Sequence, residues 1–244
     1  MTIDIHSISK IYEERAVVNE LSLSVRSGEI VALLGGNGAG KTTLLKMLSG
    51  IVAPTMGKIV INGLDFNSGR LQIVRNMGFL TRGMSLYDRF SVYENLEILG
   101  RLRDIPRPIL KIKIEKMAYE LEMESFLFRS YSKLSSGQKQ RSLIASTLLH
   151  DPEIIILDEV TAELDVISSN YIMELLRRER GRGKTIIFST HIVSEAEYCG
   201  DRLAILDKGS LIAFDSADSL KKEMNALNLT AGFINLVRNY REAA

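Results

Sequence analysis

A glycine-rich segment that carries a lysine and two threonines is the part of the chain best suited to chemistry. It runs from Gly35 to Thr43, between the apolar run Ile30–Leu34 and a helical stretch that begins at Leu44. Backbone N–H groups can surround a polyphosphate where glycines let the chain curl tightly, and a helix N-terminus adds a positive dipole. The segment therefore predicts a nucleotide-phosphate site between a strand and a helix.

The side chains of this segment have distinct expected roles. We expect Lys41 to reach the β- and γ-phosphates, the Thr42 hydroxyl to ligate Mg²⁺, and Thr43 to lie near the α-phosphate. The other predicted phosphate-binding residues are Gly35, Gly36, Asn37, Gly38, Ala39 and Gly40. The alternative is a glycine turn that only caps a helix, and it would require all these features to coincide after a buried strand.

Two further polar groups follow apolar runs. Asp158 and Glu159 come after the run 153–157, and His191 comes after the run 184–190. Ligands of open α/β sheets bind at the carboxyl ends of the strands, so we expect these side chains to meet the glycine segment in one crevice. A bound Mg²⁺–nucleotide would offset the cost of burying the carboxylates. Asp158 is then the metal-side carboxylate, Glu159 the general base for the attacking water, and His191 a donor to the γ-phosphate.

Each of these features also has an ordinary structural explanation. Asp158 and Glu159 taken alone would more often form a helix cap or a surface pair, and a lone His191 would be an ordinary loop histidine. A serine- and glycine-rich start of a helix, with Ser135, Gly137 and Gln138, offers a second anion-binding geometry or a simple serine cap. Tyr12, at the end of an N-terminal strand, could stack on a nucleotide base or pack at the sheet edge.

The composition narrows the class of protein. With 244 residues and 45% hydrophobic content, the chain can bury one large domain or a domain with a lobe. A net charge of +1 gives no drive toward nucleic acid or an anionic membrane surface. The single cysteine, Cys199, excludes an intrachain disulfide and fits a reducing compartment. No apolar stretch is long enough to span a bilayer and no signal peptide is visible, so we expect a protein that is neither secreted nor membrane-spanning.

Periodicity predicts the elements around the site. Leu21, Leu23 and Val25 recur at every second residue, which indicates an N-terminal antiparallel sheet. Strand signals vanish between residues 91 and 150, which predicts an inserted helical subdomain spanning about 85–150. The continuous run 153–157 is typical of a central parallel strand. We expect one domain over residues 1–218 and a short helical tail over 219–244.

In their order along the chain, these segments resemble the ATP-binding subunit of ABC transporters, from about residue 3 to 217. Residues 35–43 are similar to that family's Walker A, 134–138 to its signature, 154–159 to Walker B, and 161–165 to its D-loop. The resemblance implies an α/β fold with a P-loop NTPase core of mainly parallel sheet, an N-terminal antiparallel β-subdomain and an inserted α-helical subdomain. It implies ATP and Mg²⁺ as cofactors, with Thr42 and Asp158 on the metal side. It also implies catalytic roles for Lys41, Glu159 and His191, and adenine stacking by Tyr12.

The resemblance further implies partners. Two such domains, identical or different, would pair head to tail, so that Ser135, Gly137 and Gln138 contact the nucleotide of the partner domain. A separate transmembrane permease would dock near residues 81–88, and residues 79–89 look most like the sodium or drug exporter branch. The expected location is cytoplasmic, peripheral on the inner face of the cell membrane, with no nucleic-acid partner.

Four positions depart from the family pattern. Arg82 stands where a glutamine usually contacts Mg²⁺, Ser136 replaces a signature glycine, and Gly36 and Val160 replace prolines. A guanidinium cannot ligate a cation. We therefore expect an active but slow ATPase that energises solute movement, in the export direction. The alternatives are a nucleotide-gated dimerisation clamp with little turnover, and a DNA-repair or translation ATPase, which the lack of a long coiled-coil insertion disfavours.

Overall fold

The computed structural model describes residues 1–162 and 164–243. The strands are β1 (Ile3–Tyr12), β2 (Arg15–Val25), β3 (Ile30–Leu34), β4 (Met56–Ile61), β5 (Leu64–Asp65), β6 (Met77–Leu80), β7 (Ile154–Asp158), β8 (Thr185–Thr190), β9 (Arg202–Asp207) and β10 (Ser210–Asp215). The helices are α1 (Lys41–Leu48), α2 (Phe66–Arg75), α3 (Val92–Leu102), α4 (Arg107–Glu120), α5 (Ser136–Leu148), α6 (Val166–Gly181), α7 (Val193–Cys199), α8 (Ala217–Glu223) and α9 (Leu229–Ala243), with a 3₁₀ turn at Tyr131–Lys133.

The larger sheet carries the predicted site residues. Its strand order in the described part of the chain is β10-β9-β3-β8-β7-β6, parallel throughout except for the antiparallel pair β9 and β10. Every residue of β3, β7 and β8 is buried, because both faces of these strands are covered. In β3, Val31 and Leu33 face the core toward the smaller sheet, while Ala32 and Leu34 face the core toward the helices. The prediction of a mainly parallel α/β sheet is confirmed.

The smaller sheet is antiparallel, with the order β2-β1-β4-β5. From Leu21 to Val25, alternate residues of β2 are buried, as their spacing predicts. The sequence of β1 alternates imperfectly because the register shifts between Ile5 and Ile8, where Ser7 has φ 45°. This irregularity lets Ile8 face the core together with Ile5, although their positions differ by an odd number.

The helical region lies between β6 and β7 in the chain and contains α3, α4 and α5. Helix α3 begins with the predicted capping box, in which the Ser91 side chain accepts from the Glu94 N–H and the Glu94 carboxylate accepts from the Ser91 N–H. Pro106 precedes α4, and Pro108 lies in its first turn, where proline is tolerated. The apolar faces of these helices join one core with the helix-facing side of the larger sheet.

Several elements were not foreseen. Helix α2 carries only two buried residues, Phe66 and Ile73, so its sequence shows no apolar stripe. Cys199 is a free cysteine that is buried at the end of α7. The segment expected to form a helical tail contains most of α8, which begins at Ala217, and α9, which is held to the larger sheet by paired hydrogen bonds from Arg241 to Asp207 of 2.7 and 2.8 Å. Among the described residues, none of the helices combines the length and apolar character that crossing a membrane requires.

Candidate active site

The glycine segment joins β3 to α1 at the carboxyl edge of the larger sheet. Gly38 and Gly40 adopt positive φ values of 79° and 97°, which glycine tolerates without strain. Gly35 is required for a different reason: a Cβ there would lie 2.4 Å from the Leu206 carbonyl oxygen. Gly36 has neither a positive φ nor any atom within 4 Å of an added Cβ. The curl of the loop therefore depends on two of its glycines and its packing on a third.

Lys41 is buried beneath this loop. Its ammonium donates hydrogen bonds to the carbonyl oxygens of Gly35 at 2.7 Å and Gly36 at 3.1 Å, and lies 3.5 Å from Glu159 Oε1. These contacts hold a positive charge at the helix N-terminus, where the dipole also favours anions. The loop and the lysine together form a pre-arranged site for phosphate oxygens.

Asp158 is the centre of a hydroxyl network. Its Oδ1 accepts from Thr42 Oγ1 at 3.1 Å and from Ser189 Oγ at 2.7 Å, and its Oδ2 accepts from Thr81 Oγ1 at 2.9 Å. The residue is only 2% exposed, so these three donors replace the water that the carboxylate loses on burial.

The donors around Asp158 are the kind that Mg²⁺ prefers. One carboxylate and neighbouring hydroxyl oxygens suit a hard cation that keeps several waters and substrate phosphates as ligands. No cluster of three or more His, Cys, Asp and Glu side chains that could hold a metal occurs among residues 1–162 and 164–243.

Glu159 has an unusual backbone and a crowded carboxylate. Its φ of 49° is left-handed, and its N–H contacts both the carbonyl oxygen and the hydroxyl of Ser189, at 3.2 and 3.0 Å. Its carboxylate lies 3.5 Å from Lys41 Nζ, 3.7 Å from His191 Nδ1 and 3.3 Å from Arg82 Nη1. The strained residue therefore directs its side chain toward nitrogen-bearing side chains from three different segments.

A second buried carboxylate organises the segments around Glu159. Glu195 Oε2 accepts from Thr190 Oγ1 at 2.6 Å and from Thr161 Oγ1 at 2.9 Å. This side chain connects the end of β8, just before His191, to the segment that follows Glu159. Sequence reasoning missed Glu195 because it lies on a short helix with no motif around it.

Thr81 and Ser189 were also missed as site residues. Thr81 was assigned only to a loop and Ser189 only to a strand, yet both donate to Asp158. Ser189 pairs with Asp158 in the parallel register of β7 and β8, so aligning the ends of the two apolar runs could have revealed it.

A cavity of about 190 Å³ covers the glycine segment. Its lining within the described part of the chain consists of Asn37, Gly38, Ala39, Gly40, Lys41, Thr42, Thr43, Arg82 and Glu159. Tyr12, Ser135, Gly137 and Gln138 are not part of that lining. Tyr12 ends β1 with its side chain 45% exposed, and Lys10 Nζ lies 5.0 Å from the centroid of its ring.

Ser135 caps α5 in its own chain. Its hydroxyl accepts from the Gln138 N–H at 3.3 Å, while its N–H donates to Gln138 Oε1 at 3.2 Å. A Cβ added to Gly137 would be nearest to Leu164, at 3.9 Å, so this glycine faces the D-loop-like segment. Glu163 of that segment lies outside the described residues.

A larger cavity of about 460 Å³, which we call the interlobe cavity, separates the helical region from the sheet. Among the described residues, its walls come from the loop 81–85, the first half of α5 and the segment from Asp158 to Leu164. Arg82 and Glu159 line this cavity as well as the one above the glycine segment. Ser136, one of the departures from the family pattern, also lies on its wall.

The fold and this site define a P-loop domain that binds and hydrolyses a nucleoside triphosphate. The model of the ABC transporter family matches residues 18–162. ABC transporter ATP-binding protein NatA of Bacillus subtilis is 35% identical over 223 residues, which cover 91% of each chain. Nod factor export ATP-binding protein I of Neorhizobium galegae is 38% identical over 214 residues, covering 87% of this chain and 61% of that relative.

Solved structures agree with these relatives. An ATP-binding subunit of an ABC transporter superposes with a TM-score of 0.88 at 26% identity, covering 97% of this chain and all of that one. A dimeric bacterial ABC transporter cassette gives a TM-score of 0.81 at 26% identity, covering 88% of this chain and 98% of the other. The chain belongs to the ABC transporter family. It is an ATP-binding, ATP-hydrolysing subunit of an ATP-driven transporter.

Proposed function

We propose that this subunit binds Mg²⁺–ATP, pairs with a second ATP-binding subunit and drives a separate membrane-spanning partner to export a solute. The observation that carries the proposal is the convergence of Lys41, Asp158, Glu159 and His191 at one edge of the sheet. Lys41 and His191 lie 3.5 and 3.7 Å from the same oxygen of Glu159. Thr42, next to Lys41, donates to Asp158 at 3.1 Å.

Each residue has a role that its position supports. The backbone of residues 35–43 and the Lys41 ammonium bind the phosphates, and Thr42 and Asp158 hold the Mg²⁺, which would neutralise charge that develops on the phosphate oxygens. Glu159 takes a proton from the attacking water. His191 orients that water and donates to the γ-phosphate, while Ser189 and Thr81 keep Asp158 in place.

A second subunit would complete the site. In this proposal Ser135, Gly137 and Gln138 contact the nucleotide of the opposite subunit, and Tyr12 stacks on the adenine of its own. The dimeric state of the related bacterial cassette supports such pairing. The signature residues begin a helix, where the N-terminal dipole favours a phosphate.

The membrane partner would contact the loop at residues 81–88 and the helical region next to it. Met84, Tyr87 and Phe90 are exposed there, which suits an apolar contact. The export direction follows the name of the Nod factor export relative. We place the subunit in the cytoplasm, on the inner face of the membrane. In this proposal residues 1–218 form the ATP-binding domain, residues 85–150 are its inserted helical part, and residues 219–244 form a tail.

Replacing Glu159 with glutamine tests the assignment. The wild-type protein should show Mg²⁺-dependent ATPase activity, and E159Q should lose it by about 10²–10⁴-fold, the usual contribution of a general base. ATP binding should persist, because glutamine keeps the size of the side chain. E153Q is the matched control, since Glu153 is exposed at the opposite end of the same strand. Unchanged turnover in E159Q would remove Glu159 from its role.

A nucleotide-gated clamp is the second candidate, and the contact between Arg82 and Glu159 favours it. An arginine that binds the general base would slow the attack of water while leaving nucleotide binding intact. ATP-dependent dimerisation without phosphate release, measured with the membrane partner present, would select the clamp over the transporter.

A further inference from the structure

We propose that Arg82 recognises the γ-phosphate of ATP. Its guanidinium contacts Glu159 when no nucleotide is present and moves to the γ-phosphate when ATP binds. The inference rests on the proposed nucleotide site and adds to it a residue that discriminates ATP from ADP.

The strand pairing explains how Arg82 reaches Glu159. Strand β6 lies beside β7 in parallel register, with Leu80 opposite Leu157. Arg82 and Glu159 lie two residues beyond these positions, so the neighbouring carboxyl ends of β6 and β7 bring the two side chains together. Arg82 Nη1 lies 3.3 Å from Glu159 Oε2.

The two side chains differ in how they meet solvent. Arg82 is 60% exposed, whereas Glu159 is 9% exposed. A largely exposed arginine keeps most of its hydration and can change partners at little cost, since ion pairs of this kind contribute little net stability. The buried carboxylate, in contrast, keeps Lys41 and His191 as neighbours after the arginine leaves.

Arg82 also lines the cavity above the glycine segment, together with Lys41 and Thr42. A guanidinium donates up to five hydrogen bonds and can bind two phosphate oxygens at once. The neighbouring Glu159 carboxylate has only acceptor oxygens and cannot bind a phosphate in this way. The γ-phosphate brings negative charge next to Glu159, so that the two anions compete for Arg82. ADP lacks this group and leaves the contact between Arg82 and Glu159 in place.

Affinities for ATP and ADP test the inference without relying on turnover. We compare wild type, R82Q and R82K, with R75Q as the matched control because Arg75 is an exposed arginine at the opposite end of β6. R82Q should weaken Mg²⁺–ATP binding about three- to tenfold, the range of a partly exposed charge-assisted contact. It should change ADP binding by less than about twofold, and R82K should recover part of the lost ATP affinity because it keeps the charge.

A second background separates a switch from a static phosphate ligand. In E159Q the carboxylate that Arg82 contacts becomes a neutral amide, so moving Arg82 to the γ-phosphate costs less, and R82Q should weaken ATP binding about two- to threefold more in E159Q than in the wild type. An equal loss in both backgrounds, or an equal loss for ATP and ADP, would overturn the inference. A wild-type protein that binds neither nucleotide would instead refute the proposed function itself.

Discussion

The Ser189 hydroxyl contacts both Asp158 and Glu159, and replacing Ser189 with alanine tests how strongly these contacts stabilise the protein. Its Oγ donates to Asp158 Oδ1 at 2.7 Å and accepts from the Glu159 N–H at 3.0 Å. The serine is 1% exposed, so water cannot readily take the place of the hydroxyl. S189A should therefore lower the free energy of unfolding.

The structure sets the size of the effect. A hydrogen bond to a charged group contributes about 1.5–3 kcal/mol. The Glu159 N–H keeps the Ser189 carbonyl oxygen at 3.2 Å, and Asp158 keeps the hydroxyls of Thr42 and Thr81, so the loss is close to that of one bond. We expect about 2 kcal/mol, or a fall of about 4–8 °C in Tm for a chain of this size.

Urea unfolding of the nucleotide-free protein measures this loss. S146A is the control, because the Ser146 hydroxyl donates to the Leu143 carbonyl, a neutral acceptor, and its loss should cost under about 1 kcal/mol. In a D158A background the cost of S189A should fall by about half or more, since the carboxylate is gone. A loss below about 0.5 kcal/mol, or an equal loss in the D158A background, would refute the reasoning.

Two further predictions concern the fold around the site. G35A should lower the free energy of unfolding by about 1–3 kcal/mol, because its Cβ would lie 2.4 Å from the Leu206 carbonyl oxygen. G36A should change the free energy of unfolding by less than about 0.5 kcal/mol, because no atom lies within 4 Å of the added Cβ. Equal shifts in Tm for the two variants would contradict this prediction. Burial, with the nearby Arg103 charge, lowers the pKa of His150 from 6.5 to about 4. The neutral ring is thus favoured in the folded protein, so its stabilising contribution is complete above pH 6.5 and is lost as the pH falls toward 4. Urea unfolding at pH 7.5 and 5 should show a larger loss for the wild type than for H150Q, and identical losses would rule out His150 as the source.

The sequence predicted the elements whose evidence is local. The apolar runs before Gly35, Asp158 and His191 marked buried strands, and parallel strands end at one edge, so the convergence of these residues followed. Helix α2 could not be foreseen because it buries only two side chains and is held by a cap on Asp65. The four glycines of the loop looked equivalent in the sequence, but glycine is required at them for different reasons. At Gly35 the reason is a tertiary contact, the close approach of the Leu206 carbonyl oxygen, which the sequence does not show.

The hydrogen-bond partners of the buried carboxylates could not be predicted from the sequence, because they too depend on tertiary contacts. Thr81, Ser189 and Glu195 act through contacts between the ends of different strands and helices, and no spacing along the chain encodes such distances. The sequence showed that Arg82 departs from the family pattern, but predicting its contact with Glu159 would have required knowing the register of β6 and β7.

The loop after β6 supplies one partner to each of the two adjacent carboxylates. Thr81 donates to Asp158 at 2.9 Å, and Arg82 lies 3.3 Å from Glu159. Because Thr81 and Arg82 are consecutive, a displacement of this loop would change the surroundings of both carboxylates at once. The same loop continues into residues 84–88, where we place the membrane partner. A partner that moves the loop would therefore act on Asp158 and Glu159 together, and under the proposed roles of these residues such a movement would couple transport to hydrolysis.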